Sequence, residues 1–175
     1  MSNEQYCAIG LLNPKSPTNV GGIMRAAGCY RADAVFYTGK RYPLAVSNGN
    51  AQYNTDTKAA SEQIPLSGVE SLIDAVEPDV SIVCVDLVEG ATPLPDFKHP
   101  EKALYIFGPE DGTIKQQVVN RADAVVYVPT VGCMNLAASV NVLLYDRMAK
   151  STTTAAGDAL IRASRDTNNR VKVKS

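Results

Sequence analysis

The chain lacks tryptophan altogether and has a single histidine, His99, which limits the chemistry it can perform. His99 precedes Pro100 in a polar stretch, so we expect a surface side chain there and no Ser-His-Asp triad. The cysteines form no Cys-x-x-Cys pair, which argues against zinc or another metal. Disulfides are not expected either, and three of the four cysteines are predicted to fill the core. The four are Cys7, Cys29, Cys84 and Cys133.

Long apolar runs and known phosphate-binding loops are also absent from the sequence. No apolar run approaches the roughly 18 residues that span a bilayer, so no membrane segment is expected. The first residues, Met1 to Glu4, show neither the basic flank nor the apolar stretch of a secretory signal, which predicts a cytoplasmic protein. Neither a Gly-x-Gly-x-x-Gly motif after the first strand nor a P-loop is present, which argues against dinucleotide or nucleoside triphosphate binding by these motifs.

The composition is that of an ordinary globular domain, but the charge is unevenly distributed. The 175 residues are 45% hydrophobic and 20% charged, which predicts one domain with a substantial core. Residues 1–42 and 151–175 are each net +3, and the residues between them carry −7. If the two ends meet in space they form a basic face of the kind that binds nucleic acid. They are equally compatible with ordinary solvated charges.

Short apolar strands alternate with helical patterns, which predicts an α/β fold with a mainly parallel sheet. Residues 1–150 are expected to form this domain, followed by a basic tail over 151–175 with room for a short helix at 159–165. A loop without clear period is expected at 39–55. Its tyrosines, and Tyr37 before it, either stack on bases or pack against the body. The predicted strands cover 6–12, 34–38, 80–88, 103–107 and 124–128. The predicted helices cover 19–30, 71–76 after a capping box at 67–70, 113–121 and 135–150.

Three segments place glycine, asparagine or a charged residue where an apolar strand ends or a helix begins. They are Asn19–Arg25, Ile106–Gly112 and Val128–Leu136. Ligands of open α/β sheets bind at the carboxyl ends of strands, so three such segments in a small chain predict one composite site. The guanidinium of Arg25 suits a phosphate group, and Gly108 permits close approach of a ligand to the backbone. Taken singly, each segment is equally compatible with an ordinary turn.

As a set, these segments resemble the three signature motifs of the SpoU/TrmH branch of the SPOUT RNA methyltransferases, over residues 6–150. The second motif has Gly112 slightly early, and the third has Cys133 where the family usually has serine. The matching residues are Asn19, Gly21 and Arg25 in the first motif, Gly108, Pro109 and Glu110 in the second, and Val128, Pro129, Met134, Asn135 and Leu136 in the third.

The resemblance implies a deep trefoil knot in the C-terminal part of the domain, which general rules of chain topology would have excluded. It further implies S-adenosylmethionine as cofactor, a homodimer, and methyl transfer to a ribose 2′-hydroxyl of tRNA or, alternatively, rRNA. The implied catalytic residues are Arg25, Asn19, Glu110 and Asn135. The implied cofactor-binding residues are Leu87, Gly108, Val128, Cys133 and Met134.

Two other functions stay open at this stage. Cys133 and the short second motif are also compatible with an RNA-binding knot protein whose activity has lapsed. A nucleotide-binding α/β domain without an RNA partner is the third possibility. Within the enzyme reading, Arg25 is expected to orient the substrate and stabilise negative charge, because a free arginine holds its proton too tightly for a general base.

Overall fold

Seven parallel strands form the centre of the molecule in a computed structural model that describes residues 4–49, 60–165 and 170–175. The strands are β1 (Tyr6–Leu11), β2 (Ala34–Tyr37), β3 (Leu66–Gly68), β4 (Ser81–Val85), β5 (Thr92–Pro93), β6 (Lys102–Phe107) and β7 (Ala124–Tyr127). Their order across the sheet is β3-β2-β1-β6-β4-β7-β5. The parallel α/β fold expected from the sequence is therefore confirmed.

The central strands are apolar because both faces of the sheet are covered. On one face Ile9, Tyr105 and Phe107 pack against helix residues such as Ile23 and Leu143. On the other face Leu104 and Ile106 form a second cluster, which is listed in full as Ala8, Ala34, Leu72, Val80, Ile82, Cys84, Leu104, Ile106 and Ile114.

Five α-helices lie within the described residues: α1 (Pro17–Cys29), α2 (Arg41–Ser47), α3 (Gln116–Asn120), α4 (Leu136–Ala149) and α5 (Asp158–Ser164). Helices α1 and α4 pack against each other on the first face of the sheet. Among the described residues, no helix combines the length and the apolar character that crossing a membrane requires.

Helix α1 begins earlier than the sequence predicted. Ser16 caps it, and its Oγ accepts a hydrogen bond from the backbone N–H of Asn19 at 3.2 Å. Pro17 then occupies the first helical position, where its missing N–H costs nothing. The Asn19 side chain is consequently not used as a cap and faces elsewhere.

Several predicted elements differ from the structure. Residues 39–55 contain helix α2, and Tyr53 lies outside the described residues. The proposed capping box begins inside β3, because Leu66–Gly68 pairs with β2, and the predicted helix 71–76 is only a 3₁₀ turn over Ile73–Ala75. Tertiary pairing has overridden a local helix signal there. Helix α3 and strand β4 are shorter than predicted.

His99 is buried, so the expectation of a surface histidine was wrong. Only 6% of its side chain is exposed, and both ring nitrogens have partners in Tyr105 and Asp146. The expectation of three core cysteines was also wrong. Cys84 is buried and Cys7 is half-buried, but Cys29 and Cys133 are exposed.

Candidate functional site

A cleft of about 400 Å³ opens beyond the carboxyl ends of β4, β6 and β7. It is bounded by the loops that follow these strands, together with Asn19 from α1. The predicted residues found in its wall are Leu87, Gly108, Val128, Cys133 and Met134, and also Asn19, Glu110 and Asn135. The structure thus brings together eight of the nine residues singled out in the sequence.

The Asn19 side chain connects all three motifs through hydrogen bonds. Its Nδ2 donates to Glu110 Oε1 at 3.3 Å, and its Oδ1 accepts from Asn135 Nδ2 at 3.0 Å. These residues are 91 and 116 positions apart from Asn19 in the sequence. A chain of amide and carboxylate groups therefore fixes α1, the loop after β6 and the start of α4 relative to one another.

Glu110 is held by the loop that leads into α1. Its carboxylate accepts from the backbone N–H of Lys15 at 3.0 Å and of Ser16 at 3.1 Å, in addition to Asn19. Burial acts to raise the pKa of Glu110, but hydrogen bonds from its own backbone N–H and from these three donors outweigh burial and lower the pKa. Glu110 is consequently a negatively charged group at neutral pH.

Asn135 has two tasks in the structure. Its Oδ1 caps α4 by accepting from the backbone N–H of Ala138 at 3.2 Å, while its Nδ2 donates to Asn19. Capping by asparagine fixes the side-chain orientation and stabilises the helix start. The same residue therefore positions both α4 and the wall of the cleft.

Arg25 does not line the cleft. It is exposed and lines a neighbouring open groove between α1 and α4, with Asn19, Tyr30 and Asn141 among the other lining residues. Asn19 borders both the cleft and the groove, so it separates Arg25 from the cleft. Among the described residues, no carboxylate forms an ion pair with Arg25, which leaves its guanidinium accessible to an anionic ligand.

Sequence reasoning missed Asp86, which also lines the cleft. Asp86 Oδ1 accepts from the backbone N–H of Leu87 at 2.8 Å, and Oδ2 accepts from that of Ile114 at 3.0 Å. A Cβ on Gly108 would lie 3.3 Å from Ile114 N and 3.5 Å from Asp86 Oδ2. Gly108 is therefore required where the two loops meet. The available signal was a lone carboxylate inside the apolar run 80–88, which marks the true end of β4.

The SpoU rRNA methylase family model matches residues 6–145, which include every motif residue that forms the cleft and its neighbouring groove. The chain belongs to this family. It is thus a member of a family of RNA methyltransferases, as the resemblance of its motifs implied. No protein of curated function matches the chain in sequence.

Solved structures of SpoU family proteins share the fold. The methyltransferase AviRb from Streptomyces viridochromogenes, in complex with AdoMet, has a TM-score of 0.70 and 21% identity, over 87% of this chain and 60% of AviRb. The A. aeolicus TrmH/SpoU tRNA modifying enzyme has a TM-score of 0.65 and 15% identity, over 83% of this chain and 76% of that one. A structure described as showing 2-OH methylation of C/U34 on tRNA has a TM-score of 0.64 and 19% identity, over 82% and 95%. This SpoU family chain therefore spans less than two thirds of the length of AviRb.

The third SpoU motif forms the loop between β7 and α4. Gly132 has a φ of +86°, a left-handed conformation that favours glycine. The hydroxyl of Thr130 donates to the Gly132 carbonyl at 3.0 Å and stabilises the bend. Val131 is fully exposed at its tip, and Cys133, in place of the expected serine, is exposed beside the cleft.

Proposed function

We propose that the chain transfers the methyl group of S-adenosylmethionine to a ribose 2′-hydroxyl of RNA. The observation that carries this proposal is the link from Glu110 through Asn19 to Asn135, because it joins all three SpoU motifs around one cleft. The AdoMet complex of AviRb supports the choice of cofactor. The description of 2-OH methylation on tRNA supports the ribose hydroxyl as acceptor.

The cleft fits this cofactor in size and charge. Its volume of about 400 Å³ lies in the range of small-molecule sites. Gly108 leaves the backbone open to close approach, and the carboxylates in the wall, Asp86 and Glu110, suit a cationic ligand. Backbone groups at Leu87, Gly108, Val128, Cys133 and Met134 would hold it. When bound, S-adenosylmethionine would supply a methyl group on positively charged sulfur.

Arg25 is proposed to bind a backbone phosphate and to stabilise the negative charge that develops on the ribose oxygen. Its planar guanidinium can do both, and it does not need to act as a base. Glu110 and Asn19 would keep α1 in position, so that Arg25 projects beside the mouth of the cleft. Asn135 would close the wall of the cleft against Asn19. Alignment of the hydroxyl with the methyl donor would then supply much of the rate enhancement.

We propose tRNA as the substrate, with rRNA as the alternative. The chain covers 95% of the protein described in tRNA methylation but only 60% of AviRb, so its extent is that of the former. The family description favours rRNA instead. The basic tail is proposed to add phosphate contacts through Arg162, Arg165, Arg170, Lys172 and Lys174.

The test is transfer of a tritiated methyl group to separately purified tRNA and rRNA, followed by nucleoside mass spectrometry, beside a calorimetric titration with S-adenosylmethionine. Cofactor binding with 2′-O-methylation of tRNA is the expected result. Binding without transfer to either RNA would favour the lapsed RNA-binding protein. Absence of cofactor binding would contradict the proposal. Neutralising the tail should flatten the salt dependence of RNA binding by about 0.7–0.9 per lost contact.

A homodimer and a trefoil knot complete the proposal. On α4, Val142 and Tyr145 are 37% and 57% exposed, which supports association through the α1–α4 face. Light scattering at micromolar concentration should give twice the monomer mass, and a monomer would contradict it. The knot is proposed around the loops of the cleft. Pulling the chain from residues 6 and 149 should give a shorter extension than an unknotted chain of equal length.

A further inference from the structure

The charge of the cleft is one-sided. Two carboxylates, Asp86 and Glu110, lie in its wall, and no lysine or arginine does so among the residues described. The nearby cations Lys15 and Arg41 pair with Asp111, at 3.7 Å and 2.8 Å, and so do not neutralise the carboxylates of the cleft. Arg25 faces the neighbouring groove. A ligand in the cleft therefore experiences a negative field from fixed groups.

The two carboxylates differ in what they do. Glu110 is bound by the Lys15 and Ser16 backbone and by Asn19, so its oxygens are directed towards α1. Asp86 receives two backbone hydrogen bonds and lies where the loops after β4 and β6 meet, beside Gly108. Half-burial between these loops reduces solvent screening, which strengthens the interaction of Asp86 with a charge in the cleft.

We propose that Asp86 makes the cleft selective for the cationic methyl donor over the neutral product of its reaction. The proposal rests on the function proposed above for the identity of the cofactor. S-adenosylmethionine carries one more positive charge than S-adenosylhomocysteine, whereas the adenosine and amino acid parts are identical. Contacts to the shared parts cancel in the ratio of the two affinities, so the negative field of Asp86 is left to discriminate. Loss of the positive charge on methyl transfer then favours release of the product.

The variant Asp86→Asn separates charge from positioning. Asparagine is nearly the same size but has one acceptor oxygen in place of two, so the hydrogen bond to either Leu87 or Ile114 is weakened. A disturbed loop would weaken the binding of both ligands equally. Loss of the charge would weaken only the cation. The ratio of the two dissociation constants therefore reports on charge alone, whatever happens to the loops.

The experiment is calorimetric titration of wild type, Asp86→Asn and Glu89→Gln with S-adenosylmethionine, S-adenosylhomocysteine and sinefungin. Sinefungin carries an ammonium group where the methyl donor carries the sulfonium. Glu89 is the matched control, because it is an exposed carboxylate of the same loop outside the cleft wall. In Asp86→Asn we expect the preference for either cation over S-adenosylhomocysteine to fall about three- to tenfold, with no change in Glu89→Gln.

An unchanged ratio in Asp86→Asn, or an equal loss in Glu89→Gln, would overturn the proposal. If Asp86→Asn does not fold, the wild-type protein supplies the test. Sinefungin should then bind more tightly than S-adenosylhomocysteine, and its advantage should shrink between 0.05 and 0.5 M salt, over which screening of partly exposed charges increases. Equal affinities in wild type would also overturn it. Absence of binding by all three ligands would instead contradict the proposed function itself.

Discussion

At the carboxyl end of the sheet, Asp86, Glu110 and Asn135 bind loop backbone and border an open cleft. At the amino end, polar side chains bind one another and are closed off from water. His99 Nδ1 lies 2.7 Å from the Tyr105 hydroxyl and its Nε2 lies 2.8 Å from Asp146 Oδ2. Helix α4 runs between the two ends, with Asn135 at its start and Arg147 in its last turn.

The amino-end cluster, defined as His99, Tyr105, Asp146, Arg147 and Lys150, is internally satisfied. Arg147 Nη1 donates to the Tyr105 hydroxyl at 2.8 Å and to the Pro100 carbonyl at 2.6 Å. Tyr105 can then donate its own proton to His99 Nδ1, which leaves the Nε2 proton for Asp146. Polar groups without a cleft beside them fix the fold, whereas those at the cleft keep a side free for a ligand. The difference predicts that mutations at the two ends will separate activity from stability.

The largest effect is expected at Arg25. Arg25→Ala should lower the single-turnover rate of methyl transfer by about a hundredfold or more, as when a charge-stabilising donor is removed. S-adenosylmethionine affinity should change by less than about twofold, because Arg25 lies outside the cleft. Arg25→Lys should restore little, since a point charge does not reproduce the planar guanidinium.

The control for Arg25 is Arg121→Ala, which removes an exposed arginine paired with Asp74 on the surface. It should leave the rate unchanged. A near wild-type rate in Arg25→Ala would show that Arg25 is an ordinary surface residue and that the catalytic assignment is wrong.

At the opposite end, Arg147→Met should lower the free energy of unfolding by about 2–3 kcal/mol, because buried acceptors lose a charged donor. The backbone carbonyls of Pro100 and Glu101 and the Tyr105 hydroxyl would be left without it. Urea denaturation measures the change. Lys102→Met, which breaks an exposed pair with Asp79, should shift the midpoint little. An Arg147→Met protein as stable as wild type would show that this cluster does not stabilise the fold.

The carboxyl end was largely predictable from the sequence, and the amino end was not. The site residues stand in three short motifs, each at a strand end, and parallel strands bring their carboxyl ends to one edge. Asp86 was missed because the apolar run around it concealed the end of β4.

The amino-end cluster is formed by long-range partners that have no local signal. His99 and Asp146 are 47 residues apart, and nothing near His99 in the sequence indicates that a helix end covers it. The prediction of a surface histidine followed from its polar neighbours and Pro100. Burial there depends on tertiary packing, since Phe97 and Tyr105 surround the ring in edge-on contacts.

His99 should make stability depend on pH. Burial lowers the pKa of His99, against the opposing effect of Asp146, and the positive charges of Arg147 and Lys150 lower it further. The unfolded chain, with a histidine pKa of about 6.5, then binds a proton more readily than the folded chain. The contribution of His99 to stability is therefore present above about pH 6.5 and is lost as the pH falls below it.

Urea denaturation at pH 7.5 and 5.5 measures this effect. The loss of stability on acidification should be smaller in His99→Gln than in wild type, although the variant is less stable at pH 7.5. Methyl transfer per folded molecule should be unaffected at pH 7.5, because the cluster is remote from the cleft. An identical pH dependence in both proteins would show that His99 is not the group responsible.

The smallest effect is expected from Cys133→Ser, which restores the residue usual in the SpoU motif. Cys133 is exposed at the cleft, and its proposed role is contact of its backbone with the cofactor. Serine is similar in size, so the rate of methyl transfer should stay within about twofold of wild type or rise. Cys29→Ser, at the other exposed cysteine, is the control for general effects of thiol removal. A loss beyond about tenfold in Cys133→Ser alone, or about 1.4 kcal/mol of transition-state stabilisation, would show that the thiol itself takes part at the cleft. The carboxyl end would then hold a group whose chemistry the motifs do not explain.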